Sequence, residues 1–169
     1  WFKCRARDQF IALPGLTLTN NELTKYDDVM ETAEKAIRAY MKDEKIEVSI
    51  QEMDQPDVLL WAVWCIQQYG KFVGMDSCVE KYSALVRDIM DWVLAGNHPN
   101  LKVMDNKLVY SEGRDKAVTW MNSTANGRPI VPRTGYIVEF NALWYNAIKF
   151  YIDLCTHTGD AKNVKVLSE

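Results

Sequence analysis

The spacing of apolar residues predicts a chain built mainly from helices. After residue 22, apolar side chains recur along one helical stripe while charged side chains fill the opposite face, which is typical of an outer amphipathic helix. The stripe consists of Tyr26, Val29, Met30, Ala33, Ile37, Tyr40 and Met41. Residues 19–22 have the sequence of a capping box that would open this helix, residues 24–27 offer a competing start, and the charged run 42–45 would end it.

The next predicted helix has a different pattern, because residues 59–66 are apolar on nearly every side. A helix of this kind is buried all round. Residues 54–56 would start it, since Pro56 suits a first helical turn. A second amphipathic helix follows, with a capping-box sequence at 77–80 and a stop at Gly96. This alternation of fully apolar and amphipathic helices predicts helical hairpins in two concentric layers around a toroid.

The remaining segments are shorter. Residues 7–18 indicate an apolar helix interrupted near Pro14 and Gly15, and alternation at Ile46, Val48 and Ile50 indicates a short strand or extended arm. Residues 97–118 form a long connection in which 101–103 and 108–110 predict a small β-hairpin across 105–106. A last helix is predicted from about 138 to 154, before Gly159, followed by a loose polar tail over 160–169.

Length and charge narrow the class of protein. A chain of 169 residues that is 48% hydrophobic is enough for one all-α domain over residues 1–169. A net charge of -3 without a basic cluster argues against a nucleic acid or an anionic membrane as partner, and favours a neutral ligand. The apolar runs are too short or interrupted for a membrane span. No signal-peptide pattern follows Trp1, so we expect a cytoplasmic protein of which this chain is a piece.

The cysteines and histidines predict no metal site and no cofactor. The four cysteines lack a CxxC pair, and a domain of this size needs no disulfide framework, so reduced core thiols are favoured. They are Cys4, Cys65, Cys78 and Cys155. His98 and His157 lie far apart in sequence without metal-ligand spacing around them.

The chemistry is concentrated in residues 119–145, where a polar loop runs into the last helix. This stretch and the residue after it contain aromatic rings, amides, one cation and one carboxylate. They are Trp120, Trp144, Tyr145, Asn122, Asn126, Asn141, Asn146, Arg133 and Glu139. Sugars offer C–H faces to aromatic rings and hydroxyls to amides, guanidinium groups and carboxylates. The mixture therefore indicates a site for a neutral polyhydroxylated ligand.

The order of these residues resembles the signature of the amylo-α-1,6-glucosidases, the debranching glucosidases of glycogen and related α-glucans. The matching segments are TWM at 119–121, GRP at 127–129, PRTG at 132–135, VE at 138–139 and NALWYNA at 141–147. Two earlier stretches are also similar to the family, RDQFIALPGLTL at 7–18 and DVLLW at 57–61. One position departs from the family pattern, because the family commonly has TWMD where this chain has Asn122.

The resemblance implies a glucoamylase-like (α/α)6 barrel of helical hairpins and the hydrolysis of α-1,6 branch stubs. Hydrolysis with inversion requires one carboxylic acid to protonate the leaving oxygen and one carboxylate to activate water. If the family's TWMD supplies the acid, its place is taken here by Asn122, whose amide cannot donate that proton. Glu139 is the nearest substitute, as catalytic acid or base, as substrate ligand or as a plain charge at a helix start. A second carboxylate could lie beyond Glu169.

The other candidate residues each have two interpretations. Asp8 either caps a helix or, as the resemblance implies, joins Arg7 in holding hydroxyls of the terminal glucose. Asp57 either complements a helix dipole or contacts the pocket. Arg133 either anchors its own loop or reaches the ligand. Trp120 lies in a polar loop and is the best candidate for stacking on sugar, and we also expect substrate contacts from Asn122, Asn141 and Trp144.

Three hypotheses follow for the function. The protein that carries this chain is a glucosidase acting on α-1,6-linked glucose; or the chain is a carbohydrate-binding α/α domain that has lost its acid at Asn122; or its aromatics only pack helices together. We expect the 169-residue chain alone to be inactive. We also expect it to pair with the remainder of its own barrel or to self-associate, since a partial barrel exposes apolar helix faces.

Overall fold

A computed structural model describes residues 4–45, 50–113 and 115–168 of the chain. Within these ranges helices dominate, which confirms the all-α prediction. The helices are α1 (Ala6–Thr17), α2 (Leu23–Met41), α3 (Val58–Val73), α4 (Met75–Leu94), α5 (Val138–His157) and α6 (Ala161–Ser168). The short strands are β1 (Cys4–Arg5), β2 (Ile50–Gln51), β3 (Leu101–Val103), β4 (Val109–Ser111), β5 (Thr124–Ala125) and β6 (Arg128–Pro129).

Helix α3 lies at the centre of the packing. It contacts α1 on one side and α5 on another, and α4 covers it from outside. Each inner helix is followed by a neighbour that packs on it, which gives the hairpins α1–α2, α3–α4 and α5–α6. The apolar patterns of the helices explain this layering, as predicted. Helix α3 buries almost its whole circumference, whereas α2 and α4 bury one stripe. These hairpins form an all-α arrangement that is consistent with a fragment of a helical barrel.

Helix α1 is continuous, so the predicted interruption near Pro14 and Gly15 is wrong. A proline inside a helix leaves the carbonyl four residues earlier without its usual N–H partner, at a cost of about 3 kcal/mol. Phe10, Leu13 and Pro14 are all buried, and their packing against the core offsets that cost. The turn after the proline is completed by the Thr17 hydroxyl, which donates to the carbonyl of Leu13 at 2.6 Å.

The predicted helix starts are displaced. Helix α2 begins at Leu23 without a side-chain cap, and the Thr19 hydroxyl donates instead to the carbonyl of Gly15 at 2.5 Å. Helix α4 begins at Met75, so the capping-box sequence at 77–80 lies inside it. Helix α3 begins at Val58, two residues after Pro56. The predicted stop at Gly96 is confirmed, since α4 ends at Leu94 and Gly96 has a φ of +75° beyond its C-cap.

The small hairpin is confirmed, with its second strand one residue later than predicted. β3 and β4 pair antiparallel in the register Leu101↔Ser111 and Val103↔Val109. Most of the predicted arm, residues 46–49, lies outside the described residues. Its last residue, Ile50, belongs to β2, which pairs in parallel with β1.

The chain end differs from the prediction. Helix α5 begins at Val138 as predicted but continues to His157, and the tail forms helix α6 rather than a loose segment. The Asp160 carboxylate caps α6, because Oδ1 accepts the backbone N–H of Asn163 at 3.2 Å. Val164 and Leu167 pack against the core, so the apolar face of α6 is partly buried.

Three further observations bear on the predicted class. The four cysteines are unpaired, and three of them are buried while Cys4 is exposed. Among the described residues, no three His, Cys, Asp or Glu side chains come together to hold a metal ion. No helix in that part of the chain is both long and apolar enough to cross a membrane.

Candidate active site

The polar loop before α5 is an ordered structure pinned to the helices. β5 and β6 form a hairpin whose turn is Asn126 and Gly127, with φ of 51° and 75°. Positive φ at both central residues is what a tight two-residue hairpin turn requires, and Asn-Gly is its commonest sequence. This hairpin is missing from the sequence prediction, although the Asn-Gly dipeptide is the signal that identifies it.

A backbone pair and a side-chain hydrogen bond fix the ends of the loop. Ser111 and Gly135 exchange N–H···O bonds of 2.9 and 3.0 Å, which joins the loop to the end of β4. The Val118 carbonyl accepts a hydrogen bond of 3.1 Å from Nη2 of the buried Arg7. The intervening residues, among them Trp120 and Asn122, are thereby presented on a fixed base beside α1 and the N-terminus of α5.

Glu139 lies in the first turn of α5 and is held as a carboxylate. Both of its oxygens pair with the Arg133 guanidinium, Oε1 with Nη1 and Oε2 with Nη2, the latter at 2.9 Å. Partial burial would raise the pKa of Glu139. The backbone N–H of Glu139, the hydrogen bond and charge of Arg133, and the Trp120 indole N–H together outweigh burial and lower that pKa below its ordinary value.

Trp120 and Arg133 of the loop and Glu139 of α5 form a cluster. The Trp120 ring is 65% exposed, so its face is open to a ligand. Tyr136 and Val138, next to Glu139 in the chain, are exposed as well and add apolar surface. Asn122 is half-buried, and its side-chain amide makes no hydrogen bond to any described residue. The cluster therefore combines an open aromatic face with an anion fixed by a cation, and Asn122 of the same loop offers an amide without a partner among the described residues.

Arg7 and Asp57, both predicted to contact the substrate, lie next to each other and form an ion pair. Arg7 donates to Asp57 through Nε at 2.8 Å and through Nη2 at 2.7 Å, and both side chains are nearly inaccessible. Oδ2 of Asp57 also accepts the Trp61 indole N–H at 3.1 Å. Asp8 is exposed and makes no hydrogen bond to the described residues. In this arrangement Arg7 and Asp57 support the loop, and Asp8 is the accessible member of the segment.

Asn141 and Trp144 hold the β3–β4 hairpin onto α5. The Asn141 side-chain amide pairs with the backbone of Val109 in the way that a neighbouring strand would. Its Oδ1 accepts the Val109 N–H at 2.9 Å, and its Nδ2 donates to the Val109 carbonyl at 3.0 Å. Nδ2 also donates to the Ile137 carbonyl. The Trp144 indole is 2% exposed and donates to the Lys107 carbonyl at 3.0 Å. These two side chains have their partners within the fold, so they position the site rather than line it.

One of the comparisons with known proteins gives a match. A family model described as amylo-alpha-1,6-glucosidase matches residues 1–166, nearly the whole chain. Neither the curated proteins nor the solved structures give a match.

Proposed function

The chain belongs to the amylo-α-1,6-glucosidase family, and from this premise we propose that it serves the removal of α-1,6-linked glucose from glycogen or a related α-glucan. The expected substrate is a branch stub whose terminal glucose lies over Trp120. The observation that carries the proposal is the cluster of Trp120, Arg133 and Glu139, where an open indole face stands beside a carboxylate whose pKa is lowered. A ring for C–H faces and a fixed anion for hydroxyls suit a neutral sugar.

Glu139 is suited to accept rather than to donate a proton. A general acid must be protonated at the working pH, whereas the Arg133 pair and the indole N–H favour the anion of Glu139. In an inverting hydrolysis a carboxylate of this kind activates water or binds a hydroxyl next to the reacting carbon. We assign Glu139 the role of base or hydroxyl ligand.

The proton donor is then a group other than Glu139. Asn122 occupies the position where the family commonly carries aspartate, and an amide cannot supply the proton. Asp57 is buried against Arg7 and Trp61, so it has no free oxygen facing solvent. For turnover the acid must come from another carboxylate of the protein that contains this chain.

A second candidate function is carbohydrate binding without turnover, favoured by Asn122 together with the lowered pKa of Glu139. The loop would keep its aromatic face and its anion while lacking the proton donor. Loss of a general acid costs about 10² to 10⁴ in rate, so a domain of this kind would bind the glucan and release almost no glucose.

The deciding experiment measures glucose release from an α-1,6-branched limit dextrin by the protein that contains this chain, with an α-1,4-linked oligosaccharide as control substrate. If wild type turns over the branched substrate and Glu139→Gln is at least about 100-fold slower, the glucosidase proposal stands. If wild type is silent and Asn122→Asp gains turnover, the chain is a binding domain that lost its acid. If neither the wild type nor Asn122→Asp releases glucose, and neither binds the dextrin, both functions are refuted. Mass spectrometry of the wild type excludes deamidation of Asn122, which would create the aspartate.

A further inference from the structure

A second surface of the described chain also combines aromatic rings with polar groups, away from the Trp120 cluster. It lies where α2 and α4 end, and it forms a groove of about 530 Å³. The groove is lined by Tyr40, Met41, Asp43, Trp92, Asn97 and Pro99. A second groove of about 510 Å³ shares Met41, Trp92 and Asn97 with it, so the two form one trough along the ends of these helices. The trough has room for more than one sugar ring.

The aromatic rings in the trough are held in place. Tyr40 and Trp92 have ring centroids 5.7 Å apart at an angle of 58°. The Trp92 indole donates to the Met41 carbonyl at 3.2 Å, and both rings pack against the buried His98. A ring surface that is already fixed binds a ligand without a further cost in side-chain ordering.

Two polar side chains at the edge of the trough have no hydrogen-bond partner among the described residues. Asp43 and Asn97 are exposed, and their side chains make no hydrogen bond or ion pair with any of these residues. The carboxylate of Asp43 and the amide of Asn97 are therefore available to the hydroxyl groups of a ligand.

The charged side chains that line the trough are of mixed sign. Arg38 pairs with Glu34 and Asp88, and Lys42 stands beside Asp43 in the chain. Asp91 accepts the Tyr151 hydroxyl at 3.2 Å, a neutral donor that does not offset its charge. A phosphate-rich ligand would therefore meet an excess of carboxylates, whereas a neutral polyhydroxylated ligand needs no complementary field.

We propose that this trough is a second α-glucan-binding site, which holds a linear stretch of the polysaccharide while the Trp120 cluster takes the branch end. The identity of the ligand rests on the proposed function, and the site itself rests on the rings and polar groups of the trough. Two adjoining grooves with tilted rings suit successive glucose units, which also change direction along an α-linked chain. The expected effect is retention of the polymer rather than chemistry.

Two exposed substitutions test the proposal without removing core packing. Asn97→Ala removes an amide that contacts no described side chain. Asp43→Asn removes the charge and keeps a residue that tolerates the φ of 57° at this position. Each is expected to weaken binding of maltoheptaose by about two- to tenfold. Phe72→Ala is the matched control, because Phe72 is an exposed aromatic ring that does not line the trough.

The readout is the set of tryptophan indole N–H signals in a two-dimensional ¹⁵N NMR titration of the whole chain, with Trp92→Phe used to assign the Trp92 signal. The proposal predicts a saturable shift of the Trp92 signal by maltoheptaose that persists in Trp120→Ala and Phe72→Ala and weakens in Asn97→Ala and Asp43→Asn. Cellohexaose, which is β-linked, should shift it far less. The proposal is overturned if maltoheptaose does not shift the Trp92 signal, or if cellohexaose shifts it equally. It is also overturned if Asn97→Ala and Asp43→Asn both bind maltoheptaose with unchanged affinity.

The two proposals fail in different ways. If the Trp92 signal moves while the Trp120 signal does not, and the protein that contains this chain releases no glucose from the branched dextrin, the trough site stands and the proposed function fails. If the Trp120 signal moves and the Trp92 signal does not, the trough is no glucan site and the proposed function is untouched.

Discussion

Removing the Asp57 carboxylate is expected to destabilise the fold strongly, because it leaves the Arg7 guanidinium buried without its counter-ion. Arg7 is 5% exposed and Asp57 3% exposed, and two hydrogen bonds of 2.7 and 2.8 Å join them. Asp57→Ala also deprives the Trp61 indole N–H of its acceptor. Breaking a buried pair of this kind costs about 3 to 5 kcal/mol. At about 2 to 4 °C per kcal/mol for a domain of this size, the midpoint of thermal unfolding should fall by about 6 to 20 °C.

The assay is urea unfolding of wild type, Asp57→Ala, Arg7→Ala and the double alanine variant, followed by circular dichroism. The double variant should lose clearly less than the sum of the two single losses, since the second substitution removes the charge that the first one stranded. Replacing both residues by apolar ones, Arg7→Met with Asp57→Leu, should recover most of the stability. Single losses below about 1 kcal/mol that add in the double variant would refute this reasoning.

The same variants separate a supporting role from a ligand role. Residues that hold the loop should lower stability first and alter sugar binding only through the position of Trp120. If Asp57→Asn leaves the free energy of unfolding unchanged and abolishes binding of the dextrin, the carboxylate contacts the sugar, and the arrangement with Arg7 changes in the complex. Asp8→Asn is the comparison, because Asp8 is exposed and its loss should not affect stability.

Three further predictions follow from single contacts. Arg133→Ala should raise the pKa of Glu139, measured by carboxyl NMR titration, and an unchanged titration would contradict the pairing. Because folding lowers this pKa, the Glu139 carboxylate stabilises the fold at pH values above the ordinary pKa of glutamate, and the stabilisation is lost as the pH falls through the folded-state pKa. Burial lowers the pKa of His98 to about 4, partly opposed by the Gln55 backbone and the charge of Asp54, so stability should be full above pH 6.5 and fall by about 3 kcal/mol between pH 6.5 and 4. His98→Gln should flatten that pH dependence, and an unchanged pH dependence would contradict the assignment to His98. Asp160→Ala should cost about 1 kcal/mol and speed hydrogen exchange in α6, whereas Asp160→Asn, also a good cap, should not; equal exchange in both would exclude the cap.

Elements defined by long apolar patterns were predictable from the sequence, and their ends were not. The continuous apolar run of α3 and the stripes of α2 and α4 indicate burial whatever the caps do. Capping boxes are short patterns that exposed helical turns contain by chance, and the sequences at 19–22 and 77–80 are such cases. Helix α6 was missed because its sequence is mostly polar and only two apolar residues contact the core, although Asp160 is a residue that favours a helix N-cap.

Partners distant in sequence could not be predicted. Arg7 and Asp57 are fifty positions apart, and both motifs that contain them are compatible with a sugar contact or with an ion pair. Asn141 has the same ambiguity, because an amide that pairs with a strand looks the same in sequence as one that binds a hydroxyl. Only the packing of α1, α3 and α5 decides between these uses.

The structure therefore divides the predicted site residues by whether their polar groups already have partners. The polar groups of Arg7, Asp57, Asn141 and Trp144 bind the backbone or each other. Arg7 holds the start of the loop at Val118, whereas Asn141 and Trp144 hold the β3–β4 hairpin onto α5. On that loop, Trp120 keeps an exposed ring face, and the amide of Asn122 has no hydrogen-bond partner among the described residues. A catalytic loop needs positions held to within a fraction of an ångström, which rigid elements supply better than the loop itself. Substitution of the fixed set should thus cost stability, and substitution of Trp120 or Asn122 should change binding or turnover in a protein that folds normally.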